Sequence, residues 1–125
     1  MPPSTPNLTG TENPASVPYG AWDSFPSAPF PMYSGSKSVY YRSKDNKVVI
    51  GAIRETGSDT LTWPEDEFLF VTEGWIKWKV HGGDEFTLRK GDVMVIKKGQ
   101  TFDFEMSSDF ANIAVFISDK EVTIA

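Results

Sequence analysis

TLTWPEDEFLFVTEGWIKWKVHGGDEFTLRKGDVMVIKKGQTFDF, residues 60–104, decides the fold. It reads as short apolar or alternating runs, each closed by a glycine. An acidic entry, Glu65-Asp66-Glu67, leads into Phe68 to Val71, and Gly74 separates that run from Trp75 to Val80. His81-Gly82-Gly83-Asp84 predicts a hairpin turn, because two glycines supply the positive φ angles a tight reversal needs. Glu85 to Leu88, a Gly91-Asp92 turn, Val93 to Ile96, Gly99 and an alternating strand from Thr101 to Met106 complete the stretch. No helical period runs through it.

Working outward, Val39 to Arg42 and Lys47 to Arg54 read as strands joined by the turn Ser43-Lys44-Asp45-Asn46, whose Asp and Asn side chains can bond the local backbone. Gly57-Ser58-Asp59 reads as a turn, Phe110 to Ser118 as a late strand, and Glu121 to Ile124 as a short edge strand. Strands at this spacing with glycine turns between them indicate an all-β sandwich or closed barrel. The two-residue period then sorts the side chains. Asp103 and Glu105 belong to water, which turns Phe102 and Phe104 inward. Lys77 and Lys79 do the same for Ile76 and Trp78. Glu67 shares its parity with Leu69 and Val71, so a core position for those two carries the carboxylate inside with them.

Two spacings go beyond a generic β-protein: Glu67 followed by Gly74, and Gly91-Asp92 followed by Gly99. This frame, opened by the segment Pro64 to Gly74, resembles the cupin superfamily, and within it the small cupins of the ureidoglycine aminohydrolase and ethanolamine-utilisation type. The resemblance spans about half the chain. It implies a cupin-type jelly-roll barrel, a double-stranded β-helix of about eight strands. It also implies metal-binding histidines, and these are missing. Their slots in the first motif fall on Thr60 and Thr62, or on Leu61 and Trp63, and the slot in the second motif falls on Phe102. Of that ligand set only Glu67 remains. A lone carboxylate with threonine hydroxyls is a poor holder of Fe, Mn, Ni or Zn, which favour imidazole and thiolate. No metal and no other cofactor is therefore expected, and the metal-dependent reactions of the resembled families are not carried over.

Composition narrows the function further. With 125 residues there is room for one core. A formal charge of −5 leaves no basic footprint for nucleic acid or an anionic membrane surface. The absence of cysteine excludes thiolate chemistry and disulfides. No apolar run approaches a membrane span, and Met1-Pro2-Pro3-Ser4 has neither the basic nor the apolar region of a secretory signal, so a cytoplasmic protein is expected.

Eight of the nine prolines lie between Pro2 and Pro31, and proline removes a donor from any ladder. Residues 1–37 are read as a Pro-rich arm and 38–125 as the barrel. Within the arm, 1–16 lack large apolar side chains and are expected to be flexible. Residues 17–37, with Tyr19, Trp22, Phe25, Phe30, Met32 and Tyr33, form a largely strandless strap packed on the barrel or on a partner subunit. That strap covers a sheet edge or, alternatively, closes the barrel mouth.

The chemistry expected of such a barrel centres on Glu67. Desolvation of a carboxylate among aromatics disfavours its charged form and brings its pKa toward neutrality, where it can serve as general acid or base. Tyr41 is its candidate catalytic partner, with Tyr40 as the alternative should that residue face inward. Trp63, Trp78, Phe102 and Phe104 are the candidate walls of a substrate site, Thr62 or alternatively Thr60 a hydroxyl within it, and Arg54 or alternatively Arg42 a cation that pairs with Glu67 and orients the ligand. His81, in its turn, reads as solvent-exposed, and Asp92 as a backbone acceptor. Three functions follow: a metal-independent isomerase, cyclase or lyase of a small organic metabolite, a non-catalytic binding module, or a structural cupin with a filled barrel. A homodimer is expected in each case.

Overall fold

Alternation becomes two facing antiparallel sheets in the computed structural model, which describes residue 15 and residues 17–123. Ten strands are described: β1 Ala28–Phe30, β2 Gly35–Arg42, β3 Val48–Arg54, β4 Gly57–Thr62, β5 Asp66–Glu73, β6 Trp75–Val80, β7 Glu85–Arg89, β8 Val93–Ile96, β9 Thr101–Met106 and β10 Ala111–Ile117. One sheet has the order β1-β2-β3-β10-β5-β8 and the other β4-β9-β6-β7. This is the all-β jelly roll expected from the sequence. Its glycine frame has the conformations the turns demand, with Gly74, Gly91 and Gly99 all at positive φ.

Between the sheets lies an aromatic core. Trp63, Trp78, Phe102 and Phe104 pack with ring centroids 5.1–5.6 Å apart, mostly edge to face. Leu69, Val71, Ile76 and Ile96 surround them. Burial of each such side chain contributes about 1.5–3 kcal/mol. A second cluster, around Val49, Ile53, Ala114 and Phe116, lies on the same inner face of the six-stranded sheet and takes in Phe30 from the strap.

Three elements differ from the sequence reading. Gly57-Ser58-Asp59 opens strand β4 instead of forming a turn, because Gly57, Ser58 and Asp59 pair with Met106, Glu105 and Phe104 of β9. The segment expected to be strandless supplies β1, which pairs with β2 and caps the sheet edge, and β2 itself begins at Gly35. Residues 121–123 form no strand, although the Val122 N–H still bonds the Asn46 carbonyl at 2.8 Å. The expectation of a flexible segment over 1–16 falls almost wholly outside the described residues. Among those described, no helix is long and apolar enough to cross a membrane.

Candidate functional site

Register places Glu67 at the centre of the barrel. Its cross-strand partners are Phe116 on β10 and Ile96 on β8, both core residues, and residues directly opposite in a ladder share a face. Glu67 is only 5% exposed, and its Oε1 accepts a 2.8 Å hydrogen bond from the Trp63 indole Nε1. Burial pushes its pKa up to about 8. The indole bond pulls the other way, while the neighbouring carboxyls Glu55 and Glu65 add to the rise.

A cavity of about 30 Å³ opens beside it, walled by Trp63, Trp78, Phe104, Leu61 and Ile76 and by Phe30 and Tyr33 from the strap. Glu55 is the second acid on its lining, and burial of its carboxyl raises the pKa to about 7. Two further polar atoms in the lining residues are deeply buried without a hydrogen-bond partner: Asn112 Oδ1 and Trp78 Nε1. Tyr33 closes one side. Its ring stands edge-on to Phe104, and its hydroxyl donates to Asp59 Oδ2 at 2.7 Å. The Tyr33 hydroxyl is held well above the usual phenol pKa, chiefly by desolvation and by its bond to Asp59.

Of the eight residues singled out in the sequence, Glu67, Trp63, Trp78 and Phe104 meet on this cavity. The other four lie elsewhere. Phe102 is buried against Trp63 and Trp78 but is not part of the cavity lining. Thr62 pairs with Thr101 on the outer face, the two hydroxyls 2.7 Å apart, because Leu61 takes the inward position of β4. Arg54 also points outward. Glu73 holds it at 2.8 Å and Trp22 of the strap stacks on it at 5.2 Å. Tyr41 is displaced by a register shift in the β2–β3 ladder: Val39 opposes Gly51 but Tyr41 opposes Ile50, which lies on the outer face. Tyr40 is no substitute, since its ring packs on Phe25 and its hydroxyl bonds the Trp22 carbonyl.

Two site residues escaped the sequence reading, and alternation was the available signal for both. Glu55 continues the inward parity of Val49, Gly51 and Ile53 one step past the end of β3. Asn112 shares parity with Ala114 and Phe116, and its ladder partners are Ile53 and Val71. Among the other acids of the entry segment, Glu65 is buried and accepts from the Thr123 N–H at 2.7 Å, while Asp66 faces Lys97 and Lys98. His81 bonds Asp103 at 2.8 Å on the outer surface, and Asp92 Oδ2 accepts from the Arg89 N–H.

This donor set does not fit a transition metal. The inward positions of the first cupin motif are Leu61 and Trp63, the carboxyl of Glu67 is engaged by an indole N–H, and the lining contains no imidazole. Among the described residues no three His, Cys, Asp or Glu side chains gather as a metal cluster.

In fold the chain is similar to the EutQ protein of Clostridium difficile, with a TM-score of 0.69 and 13% identity over 92% of this chain and 98% of that one. The putative ethanolamine utilization protein Q of Salmonella typhimurium LT2 superposes with a TM-score of 0.58 at 21% identity, covering 94% and 96% of the two chains. The cupin domain of Schizosaccharomyces pombe Cnp3 gives 0.64 at 10% identity, over 82% and 75%. Among curated proteins none matches the chain. The EutQ-like cupin domain matches residues 43–111, which take in the glycine frame and Glu67. With that match over more than half of the sequence and the two-sheet barrel that carries it, the chain belongs to the EutQ-like cupin domain family.

Proposed function

We propose that this cupin binds a small organic metabolite at the barrel cavity and moves a proton on it through Glu67, without a metal. The observation that carries the reading is that two acids, Glu67 and Glu55, line one aromatic-walled cavity, with pKa values raised to about 8 and about 7. Near neutral pH one group is chiefly protonated and the other divided between its two forms, so the pair can both give and take a proton. Such a group typically contributes about 10²- to 10⁴-fold in rate. Trp63 orients the Glu67 carboxyl through its indole, and Trp78 and Phe104 supply the walls. Isomerisation, cyclisation and elimination all need such a transfer.

The test is transfer of solvent deuterium. Pools of small metabolites in D₂O, followed by NMR, should contain a compound whose C–H signal exchanges with the wild-type protein and not with Glu67→Gln, which can still accept the Trp63 bond. If no compound exchanges faster with wild type than with Glu67→Gln, the reading fails. A binding role without turnover is the second reading, favoured by the tight ring packing around a cavity of about 30 Å³. It corresponds to compounds that bind both proteins equally and exchange with neither.

We further propose that the chain pairs with a second copy through the outer face of its six-stranded sheet. Phe68 and Phe70 on β5, Val93 and Val95 on β8 and Ile117 on β10 are all exposed there. β8 ends that sheet and carries no charged residue. Natural edges are usually blunted by charge, proline or a cover, and this one has no charge of its own.

A further inference from the structure

The cavity beside Glu67 is one-sided in its polar chemistry. Acceptors dominate its lining: Asn112 Oδ1, deeply buried and unpartnered, the carboxyl of Glu55, and the Glu67 oxygen that Trp63 does not engage. Against these stands one unpartnered donor, Trp78 Nε1. No basic side chain belongs to the lining, and the charged groups that bear on Glu67 from neighbouring elements, Glu55 and Glu65, are both acidic. Around the acids stand the rings of Trp63, Trp78, Phe104 and Tyr33. An acceptor-rich, acid-bearing box of aromatic rings lacks one thing, a cation with N–H groups to give.

We infer that the group this cavity takes is a small organic ammonium, its N–H donors shared among Glu67, Glu55 and Asn112 and its charge set against the surrounding rings. The inference rests on the proposed function only in using the same cavity. Aromatic faces attract such cations through their quadrupoles, and more strongly once the cation is desolvated. An anion would meet two carboxyls and no base. A neutral hydroxyl would bring one donor to Asn112, Glu55 and Glu67, where an ammonium brings several. A bare inorganic cation would have to exchange its water shell for a few oxygens among hydrocarbon walls, which hard cations with six or more oxygen ligands resist. The space, about 30 Å³, exceeds the minimum for a single water and suits an ammonium head group.

Proton balance follows. Near neutral pH the ligand enters as the ammonium and keeps its charge. The nearby positive charge favours ionised carboxylate, so Glu67, and Glu55 where it is still protonated, give up their protons to solvent. Binding therefore releases up to about two protons per ligand at the acid end of the range and fewer as Glu55 and then Glu67 ionise in the free protein, and it tightens with pH until both are ionised.

The experiment is calorimetric titration of the full chain with methylammonium chloride, in two buffers of different ionisation enthalpy and across pH 6 to 8. Methanol, sodium acetate and potassium chloride serve as controls. The expected result is saturable binding of methylammonium alone, with proton release and pH-dependent tightening, weakened at least about tenfold in Glu55→Gln and in Glu67→Gln. The wild-type pH dependence carries the test even if a variant misfolds. Equal binding of methanol or acetate, an equal response to potassium chloride, or no binding of methylammonium overturns the inference. Deuterium exchange into a neutral compound would leave the proton-transfer reading standing while this inference fell. Methylammonium binding with proton release but without any exchange would do the reverse.

Discussion

Glu67 makes the folded protein a proton sink at neutral pH, and that has a sign. Its folded pKa of about 8, and that of Glu55 at about 7, lie above the ordinary glutamate value of 4.5. Below that ordinary value both folded and unfolded chains are protonated at these positions, and neither group affects stability. As pH rises from about 5 to about 8 the unfolded chain releases protons that the folded one retains, so folding is progressively weakened, by up to about 1.4 kcal/mol per pH unit for each group. Denaturation midpoints measured across this range should fall for the wild type, and Glu67→Gln should flatten the slope and be the more stable protein at its alkaline end. Parallel slopes in the two proteins would mean that Glu67 does not titrate as a buried acid. Trp63→Phe probes the same group from its partner: it removes the indole hydrogen bond to Oε1, which costs about 1–3 kcal/mol for a buried acceptor, and it removes the influence that lowers the Glu67 pKa, so its stability should begin to level off only at higher pH than in wild type.

At the level of elements, the strap is held by a short ladder and by side chains such as Phe25 and Phe30, and the turns by backbone conformation. β1 adds three residues to the sheet edge, and Tyr33 fastens the following turn to β4 through Asp59. Tyr33→Phe keeps the ring on Phe104 and loses the hydroxyl bond. It should cost the whole protein no more than about 1.5 kcal/mol, while amide exchange at residues 28–34 quickens and that of β5 and β9 does not. Gly74, between β5 and β6, is less tolerant. Its φ is +67°, and an added Cβ would lie 2.3 Å from Ser107 Oγ and 2.9 Å from the Phe110 Cα. Gly74→Ala should therefore lower the melting temperature, with a loss above the ~1 kcal/mol of the unfavourable φ alone. Such glycine positions were legible in the sequence, as was the alternation that sends Trp78 and Phe104 inward. What alternation could not reveal was where it breaks. The register shift between Val39 and Tyr41 changes no composition, yet it carries Tyr41 out of the barrel. Arg54 and Glu55 are adjacent, and extending β3 by one position hands the interior to the acid and the surface to the base, where Glu73 pairs with Arg54. Asn112 was hidden inside an apolar run, where a single polar residue changes the pattern little.

Across the whole molecule the two faces of the six-stranded sheet differ in chemistry. The inner face presents Glu67 and Asn112 to the cavity, whereas the outer face beyond the strap is apolar over β10, β5 and β8. In register, Val115 opposes Phe68, which opposes Val95, and Ile113 opposes Phe70, which opposes Val93, so exposed and half-buried apolar side chains form continuous rows across three strands. At its rim Lys97 lies by Asp66 and Lys98 by Asp119, charges of both signs that a twofold axis can set against one another. A second copy offers an equal uncharged face, and docking two of them removes apolar surface from water without burying a charge. Sedimentation should accordingly give a dimer for the wild type. Val95→Lys, which places a charge on an edge strand at a side chain 64% exposed in the single chain, should give a monomer with unchanged strand content by circular dichroism. A wild-type monomer at all accessible concentrations, or a Val95→Lys dimer as tight as the parent, would assign these rows to some other contact. The buried acids provide an internal control in either event: the pH slope attributed to Glu67 arises within one chain, so it should persist in the monomeric variant, after correction for the concentration dependence that dimerisation adds to the wild-type midpoint.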